Sequence, residues 1–241
     1  MNLYRLSGGG GIGPYSRLKY CSVVNHSVEF AMCSTCLRRY EINHGTHYVL
    51  DEISEDGTKW ADFIMATSCY ECCVQRRVLD GLKSHGIRGW EAVRIEVPDY
   101  TLFGEAMSRH LKENTGKGEP LPELFILKSQ QHWGRLDLEA SGLGGSEYCP
   151  ECGKTMPPIR EPDRLVIDES TFDWDAADFF RFHPWGQVGL HVTRRVIEVA
   201  RAERWTGVYF IPLGVPYDNT TQLRNRIEPL AKEWPPKQNW D

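Results

Sequence analysis

An α+β fold is predicted, with two related helix-turn-strand units on a mixed or antiparallel sheet, joined by a pair of cysteine knuckles. Three observations predict it. Two Cys-x-x-Cys pairs stand far apart, Cys33/Cys36 and Cys149/Cys152. A pattern of amphipathic helix, glycine, strand and proline occurs twice at one constant offset. Several short apolar runs elsewhere read as strands.

In chain order, residues 2–6 predict a short strand that runs into the glycines from Gly8 to Gly13. Gly8, Gly10 and Gly13 satisfy G-x-G-x-x-G, but Pro14 and Tyr15 follow where a helix N-terminus should receive phosphate, so a loop is expected. Strands are expected at 20–30 and 46–50, on either side of the first knuckle. His44 and His47 form H-x-x-H, read either as metal ligands or as polar loop residues. A helix is expected over 74–85, with Val78, Leu79 and Leu82 on its apolar face, Arg76, Arg77 and Lys83 solvated, and Gly86 as its stop. A strand over 90–97 closes at Pro98.

The same unit recurs near the C-terminus. Arg76-Arg77-Val78 falls on Arg194-Arg195-Val196, Gly89 on Gly207, and Val97-Pro98 on Val215-Pro216. Leu79 and Leu82 land on Ile197 and Ala200, so the buried face is kept. The units are expected at 1–112 and 123–241, packed as one globule, with 113–122 an exposed linker. Residues 124–127 and 165–167 read as strands. An acidic, aromatic stretch then carries Asp168, Glu169, Asp173, Trp174, Asp175, Asp178, Phe179 and Phe180. Its aromatic residues serve as core anchors with the carboxylates in water, or Asp173, Trp174, Asp175 and Asp178 form a surface for a basic partner.

Composition narrows the function. A chain of 241 residues can bury a full core, and its formal charge of −5 lacks the basic excess of a general nucleic-acid binder. No apolar run approaches the roughly 20 residues that cross a bilayer, and residues 1–6 carry no signal-peptide apolar segment. A cytosolic protein is expected. In a reducing cytosol, eight cysteines grouped largely as Cys-x-x-Cys indicate metal binding more than disulfides.

Two Cys-x-x-Cys turns complete a tetrahedral four-sulfur site. Pro150 fixes one angle of the second turn, and Gly153 can take the positive φ needed just past its last ligand. Cys33, Cys36, Cys149 and Cys152 are therefore read as ligands of one structural Zn2+. Cys69 and Cys72 offer a competing pair for the first knuckle, across a shorter loop, and Cys73 stands beside them. Unligated buried cysteines are the bland reading.

With these pieces placed, the chain resembles the double-CXXCG-motif family of bacterial immunity proteins. The likeness rests on Cys33-x-x-Cys36, on 124–136 ending in His132-Trp133-Gly134-Arg135-Leu136, and on Cys149-Pro150-Glu151-Cys152-Gly153. Asp178-Phe179-Phe180-Arg181-Phe182 and the unit from Val192 to Phe210 extend it. Leu37 departs from the pattern, standing where the first motif has glycine. The resemblance implies a cytosolic protein that binds and neutralises a cognate toxin without catalysis.

Sequences typical of enzymes are missing: no G-x-S-x-G, no H-E-x-x-H and no P-loop. Two other classes remain as alternatives. One is a zinc-ribbon nucleic-acid or regulatory module, which needs a basic face. The other is a cysteine-based thiol oxidoreductase, which needs an exposed cysteine of low pKa.

Overall fold

The computed structural model describes residues 3–8, 20–25, 29–43, 46–54, 60–66, 72–96, 122–130, 133–156, 166–171, 173, 175–183 and 190–212. These residues form a mixed fold that is mostly sheet. A closed barrel takes the order β2 (Tyr20–Asn25), β5 (Tyr48–Ser54), β8 (Trp90–Glu96), β9 (Leu124–Ser129), β7 (Cys72–Gln75) and β6 (Phe63–Ala66). A five-stranded sheet takes the order β10 (Trp133–Arg135), β13 (Phe179–His183), β14 (Leu190–Thr193), β1 (Leu3–Gly8) and β15 (Val208–Pro212). Two separate hairpins complete the described strands: β3 (Glu29–Met32) with β4 (Arg39–Asn43), and β11 (Glu147–Tyr148) with β12 (Thr155–Met156).

Strand partners are drawn from distant parts of the chain. β1 lies between β14 and β15, with Tyr4 opposite Val192 on one side and Leu6 opposite Phe210 on the other. β9 joins the barrel between β7 and β8. Both strands therefore cross the boundary expected between 112 and 123. The core follows the same mixing: Tyr4, Leu6, Phe63, Val74, Phe125, Leu127, Phe179, Val192 and Phe210 belong to one buried cluster.

Among the described residues two α-helices, α1 (Arg76–Ser84) and α2 (Arg194–Ala202), each continue directly from a strand, β7 and β14. Each buries one face: Val78, Leu79 and Leu82 on α1, and Val196, Ile197 and Ala200 on α2. Helix α1 starts later than the expected 74, because Val74 and Gln75 are engaged in pairing with β9. Gly86 follows α1 with φ +63, and the N–H of Ile87 returns to the carbonyl of Leu82. Gly89 and Gly207, matched in the sequence, share φ values of +79 and +72.

Several expectations need correction. The strand expected over 20–30 is two strands that pair with different partners, β2 with β5 and β3 with β4. Gly8 belongs to β1. Of the strand expected at 165–167, the described residues keep an isolated bridge between Ile167 and Leu136. Arg76 and Arg77 are not simply solvated: Arg76 pairs with Glu123 at 2.9 Å, and Arg77 lies 3.4 Å from the buried carboxylate of Asp62. Leu165, residues 97–98 and 113–121, and Val215-Pro216 lie outside the described residues.

Candidate metal centre

Each hairpin carries one Cys-x-x-Cys turn at its tip, and the two turns close in the same way. In the first, the N–H of Cys33 donates to the carbonyl of Arg38 at 2.9 Å, and that of Leu37 to Cys33 at 3.0 Å. In the second, the N–H of Cys149 donates to Lys154 at 2.7 Å, and that of Gly153 to Cys149 at 2.9 Å. The residue just past the second cysteine is left-handed in both, Leu37 at φ +55 and Gly153 at φ +70. Glycine takes that conformation freely, whereas Leu pays about 1–2 kcal/mol for it.

The turns meet sulfur to sulfur. Cys33 Sγ lies 3.6 Å from Cys149 Sγ, and Cys36 Sγ lies 3.5 Å from Cys152 Sγ. All four sulfurs fall within 4.8 Å of one another. A disulfide holds its sulfurs at about 2.05 Å, so these are separate thiols. A tetrahedral ion with metal–sulfur bonds of about 2.3 Å sets its ligands roughly 3.8 Å apart. The donor set fits that geometry, and it can hold a metal ion. Four sulfurs leave no coordination position for water or substrate, and Cys33 and Cys149 are buried.

Polar contacts clamp the turns face to face. Glu151, inside the second knuckle, accepts from the backbone N–H and hydroxyl of Ser34 at 3.0 and 2.6 Å. It also accepts from the N–H and hydroxyl of Thr35 at 3.1 and 2.8 Å. The Ser34 hydroxyl, then its N–H and the Thr35 hydroxyl, hold this carboxyl down at about 2. Arg38 donates to the carbonyl of Thr155 at 2.8 Å, and Lys154 reciprocates on the carbonyl of Arg39.

The thiols divide in character. The backbone N–H of Cys152, and then that of Glu151, draw Cys149 down to about 7 against its burial. Burial pushes Cys33 up to about 12, partly offset by the N–H groups of Cys36 and Thr35. Burial also raises Cys152. Protein groups thus favour the thiolate at Cys149 and oppose it at Cys33 and Cys152, where a cation bound between the sulfurs would supply the ionising field.

Other expected site residues lie elsewhere. Cys72 is in β7 within the main core, and Cys69 and His44 lie outside the described residues. His47 is exposed and 3.0 Å from Glu96. In the acidic stretch, Asp173 and Asp175 are exposed, while Trp174 lies outside the described residues. Asp178 does not face water. Its side chain is 4% exposed, and it accepts from Arg195 at 3.0 Å, from the Thr193 hydroxyl at 2.8 Å and from the N–H of Arg88 at 3.1 Å. Phe179 and Phe180 are buried, as core anchors should be.

Sequence reasoning missed Glu151 as a clamp, and nothing signals it until Ser34 and Thr35 are known to face it. It also missed Asp62, which is 3% exposed and accepts from the Thr206 N–H at 2.7 Å. The fold and this site define a mostly β, mixed protein with a four-cysteine cluster, two of its cysteines buried and two half-buried. Comparison of the chain with protein-family models gives no match, and comparison with the curated proteins gives none.

Proposed function

We propose that the protein is a cytosolic, non-catalytic immunity protein that binds and neutralises a cognate toxin, and that its four cysteines hold a structural Zn2+. The observation that carries this reading is the meeting of two Cys-x-x-Cys turns from distant parts of the chain. Those turns are the motifs on which the family resemblance rests. Zinc is the reading because four thiolates in a tetrahedral, closed arrangement suit a soft, redox-inert ion that serves structure. A sulfur committed to an ion is not free to attack, so filling of the site by a structural ion speaks against a thiol oxidoreductase. No described helix is long and apolar enough to cross a membrane.

Two related units remain part of this reading. Asp62 is held by Arg77 from α1 and by the N–H of Thr206. Asp178 is held by Arg195 from α2 and by the N–H of Arg88. Arg77 matches Arg195 and Arg88 matches Thr206 at the offset seen in the sequence, so each unit ties its aspartate to the other in the same way.

The deciding experiment expresses the product of the adjoining reading frame in cells with and without this chain. Growth rescued by the chain, with one-to-one association of the purified pair, supports the reading; a neighbour that neither binds nor kills removes it. Elemental assay tests the ion separately, with about one zinc per chain expected, and none in a Cys33→Ser, Cys149→Ser variant.

A further inference from the structure

We propose that the tip of the β3–β4 hairpin is the surface that grips the toxin, by an apolar stripe of Phe30, Met32 and Leu37 edged with cations. This inference rests on the immunity reading and adds the docking surface and the character of the partner's face. Among the described residues, the large apolar side chains left exposed are Phe30 at 46%, Met32 at 63% and Leu37 at 76%. All three sit on this one hairpin. Met32 is opposite Arg39 and Phe30 opposite Glu41 in the register, so Phe30, Met32, Arg39 and Glu41 share one face of the ribbon, with Arg39 at the end nearer the tip. The Arg39 guanidinium lies 3.8 Å over the Phe30 ring. Leu37 stands at the turn beyond them.

Leu37 is the informative residue. Its backbone is left-handed, a conformation that favours glycine, and the matching position of the other knuckle is Gly153. Its side chain is the most exposed of the three and adds nothing to the core. Strained backbone under an exposed apolar side chain is a cost to folding, which points to a use outside the chain.

Charge selects the occupant. Arg38 and Lys154 donate to backbone carbonyls, and among the described residues no carboxylate pairs with Arg38, Arg39 or Lys154. The Glu151 carboxylate nearby is spent on Ser34 and Thr35. A complementary face therefore offers an apolar socket rimmed by carboxylates. A two-fold contact of this stripe with a second copy would set Arg38, Arg39 and Lys154 against the same cations, so a second copy of this chain fits less well than the toxin.

The test titrates the metal-loaded full chain with the purified product of the adjoining reading frame, by calorimetry. Leu37→Gly and Met32→Ser should each weaken binding by about tenfold or more, while Leu37→Gly melts no lower than the parent protein. Wild-type affinity should also fall as salt rises. Asp173→Asn with Asp175→Asn should leave affinity unchanged. Parental affinity in both hairpin variants, or a loss confined to the Asp173/Asp175 variant, overturns the assignment and leaves the immunity reading intact. A parental dimer that Leu37→Gly turns into monomers assigns the stripe to a second copy and overturns it too. Failure of the parental chain to bind the toxin sinks both.

Discussion

At the scale of single residues, burial sets what each ionisable group can do. His191 in β14 is fully buried, and burial, followed by the positive charge of Arg5, lowers its pKa from the usual 6.5 to about 3. The native state therefore keeps this imidazole neutral over a range in which the unfolded chain protonates it. Stability from that group is intact above about 6.5, falls as pH drops below it, and stops falling near 3. One proton bound only by the unfolded state corresponds to a slope of about 1.4 kcal/mol per pH unit. Urea melts between pH 7 and 4 should show a steeper acid loss in the parent than in His191→Gln. Equal slopes would mean that the imidazole is protonated in the folded protein. The sequence carries no mark of this, because a histidine among apolar residues reads the same whether buried or half-wet. The four cysteines were legible, since their spacing is itself the chemistry. Glu151 was not, because its role depends on which side chains the other knuckle brings opposite.

Elements show a different division. Both helices were legible from apolar spacing and a following glycine, and the structure returns each within two residues of its expected start. Their first turns look wrong in isolation: Arg76-Arg77 and Arg194-Arg195 put cations where the helix dipole disfavours them, by about 0.3–1 kcal/mol each. Partners supply the reason. Arg77 and Arg195 reach the buried carboxylates of Asp62 and Asp178, and Thr193 at the N-cap turns its hydroxyl to Asp178 rather than to its own helix. Strand pairing was much less legible. The partners of β1 and β9 come from distant segments, and a strand's own residues do not say which edge it will meet. The glycines give a prediction at this scale. A Cβ on Gly207 would lie 2.3 Å from the carbonyl oxygen of Phe63 and 2.8 Å from the Cβ of Ala61, whereas one on Gly86 meets nothing within 4 Å. Both have positive φ, so both alanine variants carry the left-handed penalty of about 1–2 kcal/mol. Only Gly207→Ala must also move backbone, and it should lose at least about 2 kcal/mol more than Gly86→Ala in denaturant melts. Similar losses would show that β15 shifts freely away from β6.

For the whole molecule, the four-cysteine cluster lies apart from the main core. Cys33, Cys36, Cys149 and Cys152 are absent from the buried cluster that unites the barrel, the five-stranded sheet and the two helices. The knuckles instead tie two small hairpins together, through the Glu151 clamp and the bonds from Arg38 to Thr155 and from Lys154 to Arg39, while the Tyr148 hydroxyl bonds the second hairpin to the backbone of Leu136. Joining segments this distant restricts the unfolded chain much as a long-loop disulfide does, an effect of about 4–5 kcal/mol for a loop of roughly a hundred residues. Removing the ion should therefore lower overall stability yet leave the core folded at room temperature. Hydrogen exchange after chelation should accelerate at 29–43 and 147–156, while Val78, Leu82, Phe125, Leu127, Val192 and Val196 stay protected. Readdition of zinc should restore the hairpins without a refolding step. Uniform loss of protection across both sets would mean that the core cannot stand without the staple, and that the separation drawn from the buried cluster is not a thermodynamic one. Local opening, in contrast, would place the Leu37 tip on a part of the molecule whose order an ion held by the four cysteines would set, so that loading of the proposed zinc and partner binding would rise and fall together.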